Sequence, residues 1–213
     1  MILYGSTISP FVRKAVAFAA EKGMSLEVVP VGLGDPNPDF LAASPFRKMP
    51  ALDDGGYTIA DSSAICHYLE AVKSEPALIP ADPRERGRAV WFDEFADTIL
   101  FDCGRQMFFN RVVAPRFLGR EGDLAAADKA EAETLPPILD YLEGVMPDSG
   151  FLVGDRLTLA DIAVASPFAN LAHCGATIDA ARFPKVTRYA AAILARPSFA
   201  ASIERETAFL ARV

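Results

Sequence analysis

A chain of 213 residues is long enough for one large domain or two small ones, each with its own buried core. With 51% apolar and 23% charged residues it has the composition of a globular protein rather than a disordered one. The formal charge of −7 argues against a nucleic-acid partner, because phosphate binding needs a concentrated positive face, while a small anion can still be held by local donors and helix N-termini.

In chain order, Ile2-Leu3-Tyr4 reads as a short strand closed by Gly5. From Pro10 to Lys22 the apolar residues Phe11, Val12, Ala15, Val16 and Ala19 follow helical spacing, with Gly23 placed to end the helix. Leu26 to Val31 is a second strand, followed by a Gly/Asp/Pro loop over 32–38 and a short helix around Asp39 to Ala43. Ala51-Leu52 and Tyr57-Thr58-Ile59 flank Asp54-Gly55-Gly56, a hairpin signal, and a helix starts near Asp61 and runs to about Val72. The order is βαβαββα, which predicts a parallel first pair with the hairpin extending the sheet.

Residues 73–83 carry three prolines and read as a linker. Beyond them no strand pattern appears. Trp91, Phe95, Ile99, Cys103 and Met107 form an i, i+4 ladder that predicts one long helix before Pro115. A second helical region spans about Gly122 to Val145, with a kink or break expected at Pro136-Pro137. Further helices start near Thr158, Pro184 and Pro197. At the first of these, Thr158 and Asp161 form a capping box, with Leu157 and Ile162 as a hydrophobic staple. The uncharged stretch Ile162 to Ile178 holds Ser, Pro, Asn, His and Gly and reads as a buried core helix, not a membrane span.

The chemistry concentrates at Ser9-Pro10. Ser at the N-cap with Pro at the first helical position is a well-made helix start and need be nothing more. The functional alternative places a bound thiol at that helix N-terminus with the Ser9 hydroxyl donating to its sulfur. A free thiol has a pKa of about 8.5, and lowering it by two units takes about 2.7 kcal/mol. A hydrogen bond to a charged group contributes roughly 1.5–3 kcal/mol and a helix N-terminus roughly 0.3–1, so the pair suffices without a base or a metal.

The run Tyr4-Gly5-Ser6-Thr7-Ile8-Ser9-Pro10-Phe11-Val12-Arg13-Lys14 resembles the N-terminal signature of serine-type glutathione transferases of the cytosolic kind. It is also similar to the Cys-Pro start of glutaredoxins and omega-type transferases, with Ser9 where their cysteine stands. Serine forms no mixed disulfide, so thiolate activation remains as the expected chemistry. Arg47-Lys48-Met49-Pro50-Ala51-Leu52 and Ala60-Asp61-Ser62-Ser63-Ala64-Ile65 match two further motifs of that family, and Thr158-Leu159-Ala160-Asp161-Ile162 resembles its helical-domain signature.

The resemblance implies an α/β thioredoxin-like domain over residues 1–76, a linker at 77–83 and an all-α domain over 84–213. It implies a cis Met49-Pro50 bond, with the Met49 backbone pairing with the cysteinyl unit of glutathione and Lys48 reaching the glycyl carboxylate. Ser62 would hold the γ-glutamyl carboxylate at a helix start, and Asp61 the γ-glutamyl ammonium. From propensity alone, Asp61 or Ser62 merely caps that helix.

Ser9 is thus the expected catalytic residue, glutathione the co-substrate, and a small hydrophobic electrophile the second substrate. Ile8, Phe11, Phe101, Phe108 and Phe109 are placed to line a pocket for it, although aromatics at helical spacing more often fill cores. A homodimer is expected from the resemblance alone. No metal is expected, since Cys66-His67 and His173-Cys174 match no ligand spacing. Three widely spaced cysteines and an N-terminus without a basic segment point to a reducing, cytoplasmic setting. Two alternatives stand beside the transferase. One is a glutathione-binding module without turnover. The other is a glutathione-dependent isomerase or lyase on the same frame. A thiol-disulfide oxidoreductase would need a cysteine at position 9.

Overall fold

The computed structural model describes residues 1–213. Strand β1 (Ile2–Tyr4) pairs in parallel with β2 (Glu27–Val29) and antiparallel with β3 (Ala51–Asp54), which pairs antiparallel with β4 (Tyr57–Ala60). The sheet order is β2-β1-β3-β4, so the chain's first strand lies inside the sheet and its hairpin forms one edge. The hairpin turn is Gly55-Gly56, both at positive φ (63° and 97°), as a two-residue turn demands.

Helix α1 (Pro10–Glu21) joins β1 to β2, α2 (Pro38–Ala43) joins β2 to β3, and α3 (Ser62–Val72) follows β4. Alternation along the strands sorts the two faces. Leu3 and Leu52 face a large core with Val12, Phe18 and Ile65, while Tyr4 and Ala51 face a small cluster with Val31 and Phe40. The large core does not stop at the linker. It runs on through Phe92, Leu100, Ile162, Phe168 and Phe199, so sheet and helices share one interior.

The remaining chain is helical: α4 (Pro83–Phe95), α5 (Phe101–Phe108), α6 (Ala114–Phe117), α7 (Leu124–Lys129), α8 (Leu135–Val145), α9 (Leu159–His173), α10 (Pro184–Leu194) and α11 (Pro197–Leu210). The thioredoxin-like sheet unit is thus followed by an all-helical unit. No helix is long and apolar enough to cross a membrane.

One expectation changes here: the long helix does not end before Pro115. At Pro136-Pro137, where a kink or break is expected, the helical region is not broken. In each case a π-helical turn comes just before the proline: Phe109–Val113 ahead of Pro115, and Ala130–Thr134 ahead of Pro136. A proline ring removes an N–H donor and crowds the preceding turn, and the wider π turn accommodates both. A third π turn, Ala96–Leu100, joins α4 to α5. The i, i+4 ladder holds in part: Phe95, Cys103 and Met107 are buried as expected, but Trp91 and Ile99 are 48% and 45% exposed, and Phe92, Ala96 and Leu100 are buried beside them.

Helix α9 is buried from Leu159 to Leu171 and forms the centre of the helical unit. At its start Asp161 accepts hydrogen bonds from the Thr158 N–H (2.9 Å) and the Leu152 N–H (2.8 Å), the reciprocal half of the expected capping box. Burial pushes the Asp161 carboxyl up to about 6, against the pull of these donors.

Candidate functional site

Sheet register places the three N-terminal motifs together. Tyr4 pairs with Ala51 and Ala51 with Ala60, so the loop after β1, the turn before β3 and the turn after β4 all leave the sheet at one end. Neighbouring strands lie about 4.8 Å apart, so the row from Tyr4 to Ala60 is about 10 Å wide, close to the span of an extended tripeptide. A ligand lying across that end would meet Ser9, Met49 and Asp61-Ser62 in turn.

Ser9 occupies the N-cap position of α1 in extended conformation, with Pro10 following, but its hydroxyl makes no capping bond. Its N–H donates to the Ser6 carbonyl (2.9 Å) and its carbonyl accepts the first helical bond from the Arg13 N–H (3.0 Å). The side chain is half-buried at the opening of the helix. A residue type chosen for capping stands in the capping place with its hydroxyl uncommitted.

Asp61 does cap. One carboxylate oxygen accepts from the Ser63 N–H (2.9 Å) and the Ala64 N–H (3.0 Å), which leaves the other oxygen unpaired at the exposed start of α3. Its φ is +84°, left-handed backbone that strains an L residue by about 1–3 kcal/mol. Ser62 is buried, and its hydroxyl donates over a long 3.4 Å to Asp97 on the π turn after α4. The expected anion-binding serine therefore already faces a carboxylate within the chain.

Before β3, Met49-Pro50 is cis and Met49 is half-buried. The Met49 N–H and C=O take no backbone partner. The neighbouring turn is pinned by Ser44, whose Oγ donates to the Lys48 carbonyl (2.7 Å) and accepts from the Lys48 N–H (2.9 Å). The Lys48 side chain is exposed.

Two buried cations on α1 support the two ends of this row, and the sequence alone assigned them no role. Lys14 Nζ donates to Asp93 (2.8 Å), Asp97 (2.5 Å) and the Ser63 hydroxyl (3.0 Å). Burial opposes the charge on Lys14, but the two aspartates hold its pKa well above the ordinary lysine value. Asp97 is raised above the ordinary carboxylate value by burial first, although Lys14 pulls it down.

Arg13 is fully buried. Its Nε and Nη2 donate to Glu206 of α11 (3.1 and 2.6 Å), and its Nη1 donates to the Ser166 carbonyl (2.7 Å) and Asn170 Oδ1 (2.8 Å) of α9. Burial pushes the Glu206 carboxyl up, but bonds from His173 (3.0 Å) and Arg13 hold it below its ordinary value. The signal for both cations was an Arg-Lys pair inside an otherwise apolar helix, since buried charges must find partners.

On the apolar side, Phe11 and Phe101 pack at 4.5 Å between ring centroids, both half-buried, and Ile8 and Phe109 are also half-buried. Phe108 belongs to the core. A separate hollow of about 270 Å³ lies between the 146–151 turn and α10, lined by Phe151, Lys185, Arg188 and Arg196, and includes none of the predicted site residues. Cys66, Cys103 and Cys174 are buried free thiols, His67 is exposed, and His173 bonds Glu206.

Residues 3–77 match the family model "Glutathione S-transferase, N-terminal domain" and residues 101–197 match "Glutathione S-transferase, C-terminal domain". A glutathione S-transferase of Hyoscyamus muticus is 32% identical over 96% of this chain and 98% of its own length. Glutathione S-transferase 3 of Zea mays is 34% identical over 92% of this chain and 90% of its own. Among solved structures, a glutathione transferase of Populus trichocarpa superposes with a TM-score of 0.83 at 27% identity, covering 95% of this chain and 97% of the other.

Proposed function

The chain belongs to the glutathione S-transferase family, and from that premise we propose a transferase that uses Ser9 to hold the thiolate of bound glutathione. The observation that carries this reading is the Ser9 hydroxyl, placed at the N-terminus of α1 and uncommitted to capping. Glutathione lies across the end of the sheet. Its cysteinyl backbone pairs with the Met49 N–H and C=O, its glycyl carboxylate is within reach of Lys48, and its γ-glutamyl group meets Asp61 and Ser62. The free Asp61 oxygen suits the γ-glutamyl ammonium, and the Ser62 hydroxyl turns from Asp97 to the carboxylate.

In the reaction the thiol proton goes to water, the sulfur lone pair forms an S–C bond, and the leaving group departs with its bonding electrons. Ser9 donates to the sulfur and takes no proton. The helix N-terminus adds to the same stabilisation. The electrophile packs on the apolar side, where Ile8, Phe11 and Phe101 line the approach to Ser9. The division at 77–83, a cytoplasmic setting and a homodimer complete the reading, and sedimentation tests the last of these.

The deciding experiment follows the ultraviolet absorbance of bound glutathione thiolate against pH in wild type and Ser9→Ala. Loss of a hydrogen bond to a charged group, worth about 1.5–3 kcal/mol, raises the thiol pKa by about one to two units and lowers kcat about ten- to hundredfold, while calorimetric affinity changes little. An unshifted titration removes Ser9 from the role. Binding without turnover across a broad electrophile panel would leave a binding module instead.

A further inference from the structure

The carbonyls of the two residues flanking Ser9 are both held by side chains of α9. Asn170 Nδ2 donates to the Ile8 carbonyl at 2.8 Å, and Ser166 Oγ donates to the Pro10 carbonyl at 2.7 Å. These two residues are one helical turn apart, so one face of α9 meets the backbone just before and just after the catalytic hydroxyl. The resemblance that identified Ser9 says nothing of them, and they lie more than 150 residues along the chain.

The orientation of this clamp is itself fixed. Arg13 Nη1 donates to Asn170 Oδ1, which leaves the Asn170 amide nitrogen as the group that faces Ile8. Arg13 is in turn held by two bonds to Glu206, a planar fork on a carboxylate. Helix α9 is buried almost from end to end, so it supplies a rigid support. The rest of the loop of residues 5–9 is held by the Gly5 N–H on Val29, the Ser9 N–H on Ser6, the Arg13 N–H on the Ser9 carbonyl and the Thr7 side chain on Glu206.

We infer that Ser166 and Asn170, oriented by Arg13, are positioning residues that set where the Ser9 hydroxyl meets the glutathione sulfur. This rests on the reading of Ser9 as thiolate donor. A donor displaced by a fraction of an ångström still leaves the binding groups of glutathione in place but meets the sulfur at poorer distance and angle. The clamp thus acts on thiol ionisation and turnover more than on affinity. It also makes the helical unit, which borders the electrophile side, responsible for the geometry of the nucleophile.

The test is the thiolate titration together with calorimetry and kcat for Ser166→Ala, Asn170→Ala, Ser9→Ala and the double variant Ser9→Ala/Ser166→Ala. Each clamp variant is expected to raise the bound thiol pKa and to lower kcat about three- to tenfold, with glutathione affinity within about twofold. The double variant is expected to titrate like Ser9→Ala alone, because a residue that acts through Ser9 has nothing left to position. Clamp variants that titrate like wild type, or a double variant whose shift is the sum of the two single shifts, would overturn the inference. A Ser9→Ala protein that itself titrates like wild type fails the reading of Ser9 instead. If Asn170→Ala does not fold, Ser166→Ala, which deletes one oxygen, carries the test.

Discussion

Arg13 and Lys14 are sequence neighbours on one helix and both are buried, yet they support opposite ends of the sheet-end row with different charge balance. Arg13 serves one carboxylate, Glu206, and spends its remaining donors on the Ser166 carbonyl and Asn170. Lys14 serves two carboxylates, Asp93 and Asp97, and a serine hydroxyl. A planar guanidinium suits one carboxylate plus acceptors in a plane, whereas a compact ammonium suits several oxygens gathered round a point. The carboxylates differ as well: burial first of all raises Asp97, while at Glu206 burial is outweighed by His173 and Arg13. Glu206 is held below its ordinary value and Asp97 is pushed above it. One cluster is electrically complete and fixes the Ser9 loop. The other carries a surplus negative charge beside the start of α3, where a cationic group of a ligand is welcome.

Removing each cation should expose this difference. Arg13→Met takes the guanidinium from Glu206, whose side chain is 1% exposed, and breaks the clamp as well, for a loss of about 3–5 kcal/mol in urea unfolding. Lys14→Met should cost more, because it strands two carboxylates, Asp97 at 18% exposure and Asp93 at 2%, whereas Glu206 keeps its bond from His173 when Arg13 is removed. An equal loss in the two variants would erase the distinction.

Acidification should sharpen it. Asp97 has a folded value raised above the unfolded one, so its charge costs stability above that value and the cost is relieved as pH falls through it. Glu206 has a lowered folded value, so its contribution is complete above the ordinary carboxylate range and is lost only as pH falls through the lowered value. Taking Lys14→Met from pH 8 to pH 5 should therefore recover part of its deficit while the Glu206 contribution stays intact. A Lys14→Met deficit equal at both pH values would contradict this.

What the sequence made legible was short-range. Ser9-Pro10, Gly55-Gly56, Asp61 and the Thr158–Asp161 pair each act over a few residues, and the structure forms a helix start, a hairpin, a cap and a reciprocal cap at those places. The resemblance grouped Met49, Asp61 and Ser9 round one ligand, and the strand register of the structure is what brings them to one sheet end. The unread features depend on distant partners. Arg13 finds Glu206 across 193 residues and Asn170 across 157, and no local pattern names such a partner. The π turns escaped for a related reason: an i, i+4 ladder assumes a constant 3.6-residue period, and Ala96–Leu100 interrupts it where the helix packs. Ser62 was read as free for an anion because its neighbour Asp97 lies 35 residues on.

The backbone at Asp61 sets durability against grip. Its left-handed φ of +84° suits glycine far better than aspartate, and glycine at an N-cap gives up only a few tenths of a kcal/mol. Asp61→Gly should therefore leave the melting temperature unchanged or a little higher, while calorimetry shows weakened glutathione binding. A chain shortened of that carboxylate would be tougher and emptier, and selection for heat resistance alone would drive the position toward the loss of its ligand.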